Sequence, residues 1–328
     1  VQLPDRAAVL RWVRWVAALA MLWSLAVVAA MAVWGGEAFS RAGSVGSALI
    51  AATLASFAIN HGLRFVRWQL LLRAEGMAPP WRRSLSIFLA GLALLPTPAK
   101  AGVAVRSLLL LGEGVPVHVS LAAYVVERLT DLVGLVILAS LLFGALTGHA
   151  WAIAAAVAVA GLVLVKLAPA LVRRVKPDRG RWPRAARAFD WVDRFFVDAT
   201  EMLSGWRLPA FVLIGGLANV ATGLLLWFSL RGGLDAAAGI GVLALSHLSG
   251  SISMLPGGLG GFELAMLAQL GALRVPPGEA LASLAAVRFA TLWGSVLVGL
   301  PLLFVGLRRG KGVPPTSASA PASPPALP

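Results

Sequence analysis

Twenty consecutive residues, Trp15 to Trp34, carry no charge. A run of that length crosses the roughly 30 Å hydrocarbon core of a bilayer as a single helix. Gly43–Leu63, Trp151–Leu171 and Leu208–Leu230 are similarly apolar. Of the 328 residues, 59% are hydrophobic and 13% charged, whereas a soluble chain is about a quarter charged. A transmembrane β-barrel would alternate polar and apolar residues in segments of about ten, and this chain does not. The fold class that follows is an all-α polytopic membrane protein. Arg6, Arg11 and Arg14 before the first apolar run resemble the start of a signal peptide, but that run is long and many spans follow it. It reads as a retained helix.

The net charge of +14 could suggest a nucleic-acid partner. The arginines, however, stand in blocks beside apolar spans, where the positive-inside rule places them. With no cysteine in the chain, disulfides and Cys-based metal sites are excluded. His61, His118, His149 and His247 are scattered without metal-ligand spacing, so no metal and no cofactor is expected.

Six spanning helices are expected, at about 15–34, 43–72, 118–147, 151–172, 208–230 and 280–306. Between them lie two pairs of short apolar pieces. One pair, about 84–95 and 98–111, flanks Pro96-Thr97-Pro98. The other, about 238–255 and 258–271, flanks Pro256-Gly257-Gly258. Fourteen helical residues reach about 21 Å, less than the hydrocarbon thickness. Each pair therefore reads as a re-entrant hairpin, with a pair of kinked full spans as the alternative. Non-helical backbone at a hairpin tip survives in a membrane only where protein or a water-filled cavity satisfies it. Residues 1–307 form the expected transmembrane domain. Within it, 173–207 is a basic cytoplasmic segment whose stretch Arg184–Trp206 reads either as an interfacial amphipathic helix or as a plain connector. Residues 308–328, rich in Pro, Ser and Ala, read as disordered.

Displaced by 160 residues, the sequence matches itself at eleven of the 42 positions 95–136, without a gap. Leu95-Pro96 meets Leu255-Pro256, Val115-Pro116 meets Val275-Pro276, and Arg128 meets Arg288. At an offset of 159, Asn60 meets Asn219 and Trp68 meets Trp227. The repeated unit is helix, hairpin, helix, over about 43–147 and 208–306. Placing the arginine-rich stretches inside, with Arg64, Arg67, Arg73, Arg82 and Arg83 at the cytoplasmic end of the second span, puts both termini in the cytoplasm and makes the two units run in opposite directions. Such inverted repeats are common in secondary transporters.

Charges inside membrane segments are expensive and usually functional. Lys100, Arg106, Arg128 and Arg288 belong to the repeated units, and Glu127, Asp131 and Glu263 lie near them in sequence. Four positive charges against three negative leave one over, which an anionic headgroup would offset. Gly257, Gly258 and Gly260 could add backbone N–H donors, since a helix start after a glycine-rich turn favours anions. These cationic residues and glycines form the expected headgroup site. The three acids, with Asn60 and Asn219, form its supporting network. The bland reading is that the charges pair internally, and that the asparagines are glue between helices. The glycine stretch is no nucleotide loop, for it lacks the Gly-Lys-Ser/Thr ending. No catalytic constellation stands out.

Four stretches, "NHGLRFVRW" (Asn60–Trp68), "PTPAKAGVAVR" (Pro96–Arg106), "VVERLTDLVGL" (Val125–Leu135) and "LPGGLGGFE" (Leu255–Glu263) with Arg288 after it, resemble the transmembrane, flippase-like region of the lysylphosphatidylglycerol synthase family. One departure is that family members commonly have an acidic residue where Val103 follows Gly102. The resemblance implies paired re-entrant hairpins and movement of a phospholipid between leaflets of a bacterial or archaeal cytoplasmic membrane. The cargo would be anionic, aminoacylated or lipid-linked. The sequence ends at Pro328 without a synthase domain, so the expected activity is transport rather than catalysis, on a lipid made elsewhere. The expected partners are membrane lipids, with a lipid-synthesising enzyme and a second copy of the chain as further candidates. The alternative functions are a membrane enzyme acting on a lipid-linked sugar or phosphate, and a non-transporting scaffold or partner for a glycosyltransferase or lipid-modifying synthase.

Overall fold

The structure is a computed structural model, and it describes residue 15 and residues 46–77, 79–95, 102–143, 150–175, 182–231, 233–253 and 256–309. The first expected span apart from Trp15, the tip Pro96-Thr97-Pro98 with Lys100, and the C-terminal tail after Arg309 lie outside the described residues. Among the described residues the chain is helical throughout, without strands.

The long helix α1 (Gly46–Ala74) is followed by the short helices α2 (Trp81–Leu92) and α3 (Gly102–Leu111) and the long helix α4 (Val117–Phe143). Helices α5 (Ala150–Val175) and α6 (Pro183–Met202) come next. The same order then recurs: long α7 (Arg207–Ser229), short α8 (Ala236–Ile252) and α9 (Gly261–Ala272), and a long final pair, α10 (Pro277–Arg288) and α11 (Gly294–Arg309). One π-helical stretch, Phe289–Trp293, joins α10 to α11.

Proline and glycine set these boundaries. Pro80, Pro116 and Pro276 stand just before α2, α4 and α10, where a missing N–H costs nothing. Helices α3 and α9 end alike: Val115 N–H donates to Leu110 O (3.1 Å) and Val275 N–H to Leu270 O (2.9 Å). In each case the preceding residue, Gly114 or Arg274, has positive φ (83° and 59°). These positions are equivalent in the 160-residue register.

Helices α2 and α3, of 12 and 10 residues, rise about 18 and 15 Å at 1.5 Å per residue. Arg83 at the start of α2 pairs with Glu113 after α3 at 2.7 Å, so both ends of this hairpin lie together. In the second hairpin Gln269 of α9 reaches Ser246 of α8 at 3.2 Å, and Gly250 lies against Phe262. The two limbs are therefore antiparallel.

Two apolar cores result. Helices α1–α7 share one around Trp68, Phe88 and Phe211, and α7–α10 share the other around Phe262, Met266 and Leu270. Two seams interlock the halves. The first hairpin packs on α11 through Ala90, Ala93, Leu94 and Leu303. Helix α8 packs on α4 through Ala244, Leu248, Leu135 and Ala139. Helices α1 and α7 cross antiparallel, because Ser56 bonds Ala221, Asn60 bonds Ala218 and Arg67 bonds Phe211.

The outside is apolar and the inside is charged. Ile50, Leu54, Leu164, Leu213, Leu297 and Phe304 are exposed, as lipid-facing residues are, while Arg67, Glu127 and Asp131 are buried. Three helical stretches among the described residues, Ser47–Ala74, Arg207–Ser229 and Pro277–Gly306, are long and apolar enough to cross a membrane. Helix α6 buries Ala186, Ala199 and Met202, with Leu203 just after it, and its Thr200 hydroxyl donates to Val165 O of α5 at 3.2 Å. Its apolar face is thus used against protein.

Candidate functional site

A cluster of six charged side chains occupies the crossing of α1, α3 and α4, with α7 closing it. Helix α1 presents Asn60, Arg64 and Arg67 along one face, spaced four and three residues apart. Helix α4 presents Glu127, Arg128 and Asp131, and α3 contributes Arg106.

Asp131 is the hub. It accepts from Arg64 Nη1 at 2.6 Å and from Arg67 Nη2 at 2.7 Å, and Arg128 Nη2 stands 3.2 Å away. Glu127 lies 3.3 Å from Arg106 Nη2, 3.5 Å from Arg67 Nη2 and 3.7 Å from Arg128 Nη2. The Arg106 guanidinium also lies over the Trp68 ring, 3.8 Å from its centroid. Four guanidinium groups thus face two carboxylates, an excess of two positive charges among the described residues.

The expected supporting residues bind the two long helices at this point. Asn60 Nδ2 donates to Ala218 O (2.8 Å) and Thr222 Oγ1 (3.1 Å), and Asn60 Oδ1 accepts from Arg64 Nε (3.0 Å). Asn219 Nδ2 donates to Gly215 O (2.9 Å), while its Oδ1 accepts from Arg64 Nη2 (3.3 Å). Gly215 makes the approach of α7 feasible. A Cβ there would run into Arg67 Nη1 and lie 2.8 Å from Asp131 Oδ1.

The second hairpin holds a smaller, neutral arrangement. Arg288 Nε donates to Glu263 Oε1 at 2.6 Å. Its two amino groups donate to the carbonyls of Gly257 and Gly258, both at 3.3 Å, and its guanidinium lies 4.0 Å from the Phe262 ring centroid. Gly257, Gly258 and Gly260 all have positive φ (62°, 67° and 83°), which glycine adopts without strain. This backbone turns the two carbonyls onto Arg288. The reading of these glycines as a cluster of free N–H donors therefore changes: Gly257 and Gly258 offer acceptors to Arg288, and the Gly260 N–H is taken by Glu263 Oε2 at 2.7 Å. Between the two charged groups stands His247, edge-on to Phe262 at 4.8 Å. It lies within electrostatic reach of Arg64, Arg128 and Asp131 on one side and of Arg288 on the other.

The structure brings together Arg106, Arg128, Glu127, Asp131, Asn60 and Asn219 in one network, and Arg288, Glu263 and the three glycines in another. Lys100 lies outside the described residues. Sequence reasoning missed Arg64 and Arg67 as members, because it assigned them to the cytoplasmic flank of their helix. The available signal was their helical spacing from Asn60, which places all three on one face.

Such a bundle, apolar outside and paired through buried charges inside, defines a polytopic membrane protein. The family model of the lysylphosphatidylglycerol synthase TM region matches residues 15–299, and the chain belongs to that family. No curated protein matches the chain.

Proposed function

We propose that the protein is a lipid translocase, moving a phospholipid or lipid-linked headgroup between the leaflets of the cytoplasmic membrane. The excess of positive charge around Arg128, buried at the crossing of α1, α3, α4 and α7, is the observation that carries this reading. A charge at the centre of a bilayer costs about 2.5–3.5 kcal/mol on insertion scales. A bound headgroup phosphate offsets that cost and gives the cluster its purpose. Among the described arginines of the two charged groups, Arg128 is the most open to such a group, with 40% of its side chain exposed against 16% for Arg64, 8% for Arg106 and 5% for Arg288. Arg106 and Arg288 form the remaining wall of the headgroup path, with the Gly257 and Gly258 carbonyls holding Arg288 in place. Glu127, Asp131 and Glu263 hold the arginines in position.

The architecture of this reading is six spans with two re-entrant hairpins in inverted repeats. The spans are the N-terminal apolar run, α1, α4, α5, α7 and the joined α10–α11. Antiparallel crossing of the equivalent helices α1 and α7 supports the inversion. So does the reciprocal exchange in which each half's first short helix packs on the other half's last long helix. Motion of the hairpins along these seams would open the charged centre to one leaflet and then to the other.

Reconstitution into liposomes with fluorescent phospholipids tests the proposal. Leaflet exchange well above that of empty liposomes, lost in Arg128→Ala, is the expected result. Exchange equal to that of empty liposomes across anionic, zwitterionic and aminoacylated lipids would instead favour a scaffold.

A further inference from the structure

The two halves do not share charge equally. In the 160-residue register Arg128 and Arg288 are equivalent, but their surroundings differ. Arg288 is enclosed by Glu263 and two carbonyls, with 5% of its side chain exposed. The residue of the first half that corresponds to Glu263 is Val103, so Arg128 has no such carboxylate. It leans instead on Asp131 and Glu127, which already serve Arg64, Arg67 and Arg106. Its Nε is shielded from solvent yet has no hydrogen-bond partner among the described residues. Arg64 and Arg67 have no cationic counterparts either: the 159-residue register places Gly223 and Leu226 there. Among the described residues, two uncompensated positive charges therefore belong to the first half, while the Arg288–Glu263 pair is neutral. Arginine does not lose its proton in a protein, so a bound anion would balance this excess among the described residues.

We propose that the site around Arg128 takes a doubly negative phosphate group carried by a lipid, a phosphomonoester or diphosphate headgroup, one per chain. The lipid source rests on the translocase reading; the charge of the ligand rests on the cluster alone. A phosphomonoester carries about −1.5 to −2 charges at neutral pH, with a second pKa near 6, and cancels the excess. A phosphodiester such as phosphatidylglycerol cancels half of it. A lysylated headgroup brings a further cation towards four guanidinium groups. Arg128, with 40% of its side chain exposed and no partner for its Nε among the described residues, offers the planar guanidinium that phosphate oxygens accept in pairs.

The test is competitive binding to the full chain in phosphatidylcholine nanodiscs. The probes are phosphatidic acid, phosphatidylglycerol, lysylphosphatidylglycerol and inorganic phosphate, and the lipids have matched acyl chains. At pH 7.5 phosphatidic acid is expected to bind at least about tenfold tighter than phosphatidylglycerol, with the lysylated lipid weakest. Between pH 5.5 and 7.5 phosphatidic acid should tighten while phosphatidylglycerol does not. Arg128→Gln should abolish the ranking. Arg128→Lys, which keeps the charge and the fold but loses the fork, should retain it in weakened form. Equal affinities for the three lipids, or tightest binding of the lysylated one, would overturn the proposal. Inorganic phosphate binding as tightly as phosphatidic acid would assign the site to a free anion and overturn its lipid part. Lipid exchange without this ranking would sink the inference and leave the translocase standing. The ranking without exchange of any lipid would do the reverse.

Discussion

Asp131 carries more of the charged centre than any other side chain, because three guanidinium groups converge on its two oxygens at 2.6, 2.7 and 3.2 Å. Removing one partner from a buried ionic network costs about 3–5 kcal/mol, since it leaves charge without compensation. Asp131→Asn is therefore expected to lower the thermal unfolding midpoint in detergent sharply; an unchanged midpoint would contradict the hub role. Gly215→Ala attacks the same pair from the facing helix by placing a methyl group against Arg67 and Asp131. Overpacking of this kind costs about 1–3 kcal/mol. Combined with Asp131→Asn it should cost less than the two changes apart, because both disturb one contact. This part of the site was half legible in the sequence. Glu127, Arg128 and Asp131 announce themselves as charges amid apolar residues. Arg64 and Arg67 do not, because an arginine near the end of a span has a ready interfacial explanation. What overrules it is a contact with Asp131, more than sixty residues away in the chain.

At the level of elements, a second titratable group lies just beyond α1, outside the spanning segments. Burial, reinforced by Asp198 and Glu201 and opposed by Arg207, pushes the Glu75 carboxyl up from its ordinary 4.5 to about 7. The folded state thus keeps a proton that the unfolded chain has lost. Stability contributed by Glu75 is complete below pH 4.5 and is lost as pH rises towards 7. Thermal unfolding of wild type and Glu75→Gln from pH 4 to 8 should show wild type losing ground to the variant across that window. Parallel curves would contradict the assignment. The seam between α2 and α11 depends on Gly299, where a Cβ would lie 2.5 Å from Leu89 O and 2.6 Å from Ala93 N. Gly299→Val should separate the first hairpin from α11 and destabilise the protein by about 1–3 kcal/mol, read as a lower midpoint. Helix limits were the most legible feature of the sequence, because Pro80, Pro116, Pro276 and the tip glycines punctuate apolar runs. The fate of the Gly260 N–H was not legible, since it depends on the side-chain rotamer of Glu263. The apolar face of α6 likewise leaves an interfacial helix and a plain connector both open in the sequence, and its packing on α4 and α5 is visible only in the fold.

For the molecule as a whole, the equivalent helices α1 and α7 cross with Asn60 and Asn219 at their contact, as a pair related by a two-fold axis would. If the halves are inverted, the open ends of the two hairpins face opposite sides of the membrane. The chain contains no cysteine, so each introduced thiol reports its own position alone. Arg82→Cys and Gly112→Cys mark the open end of the first hairpin, and Ala237→Cys and Ala272→Cys that of the second. All four positions are exposed. Membrane-impermeant thiol labelling of intact cells and of inverted vesicles should place 82 and 112 on the cytoplasmic face and 237 and 272 on the other. Labelling of all four from one side would contradict the inverted arrangement, and with it the two-sided path to the Arg128 centre.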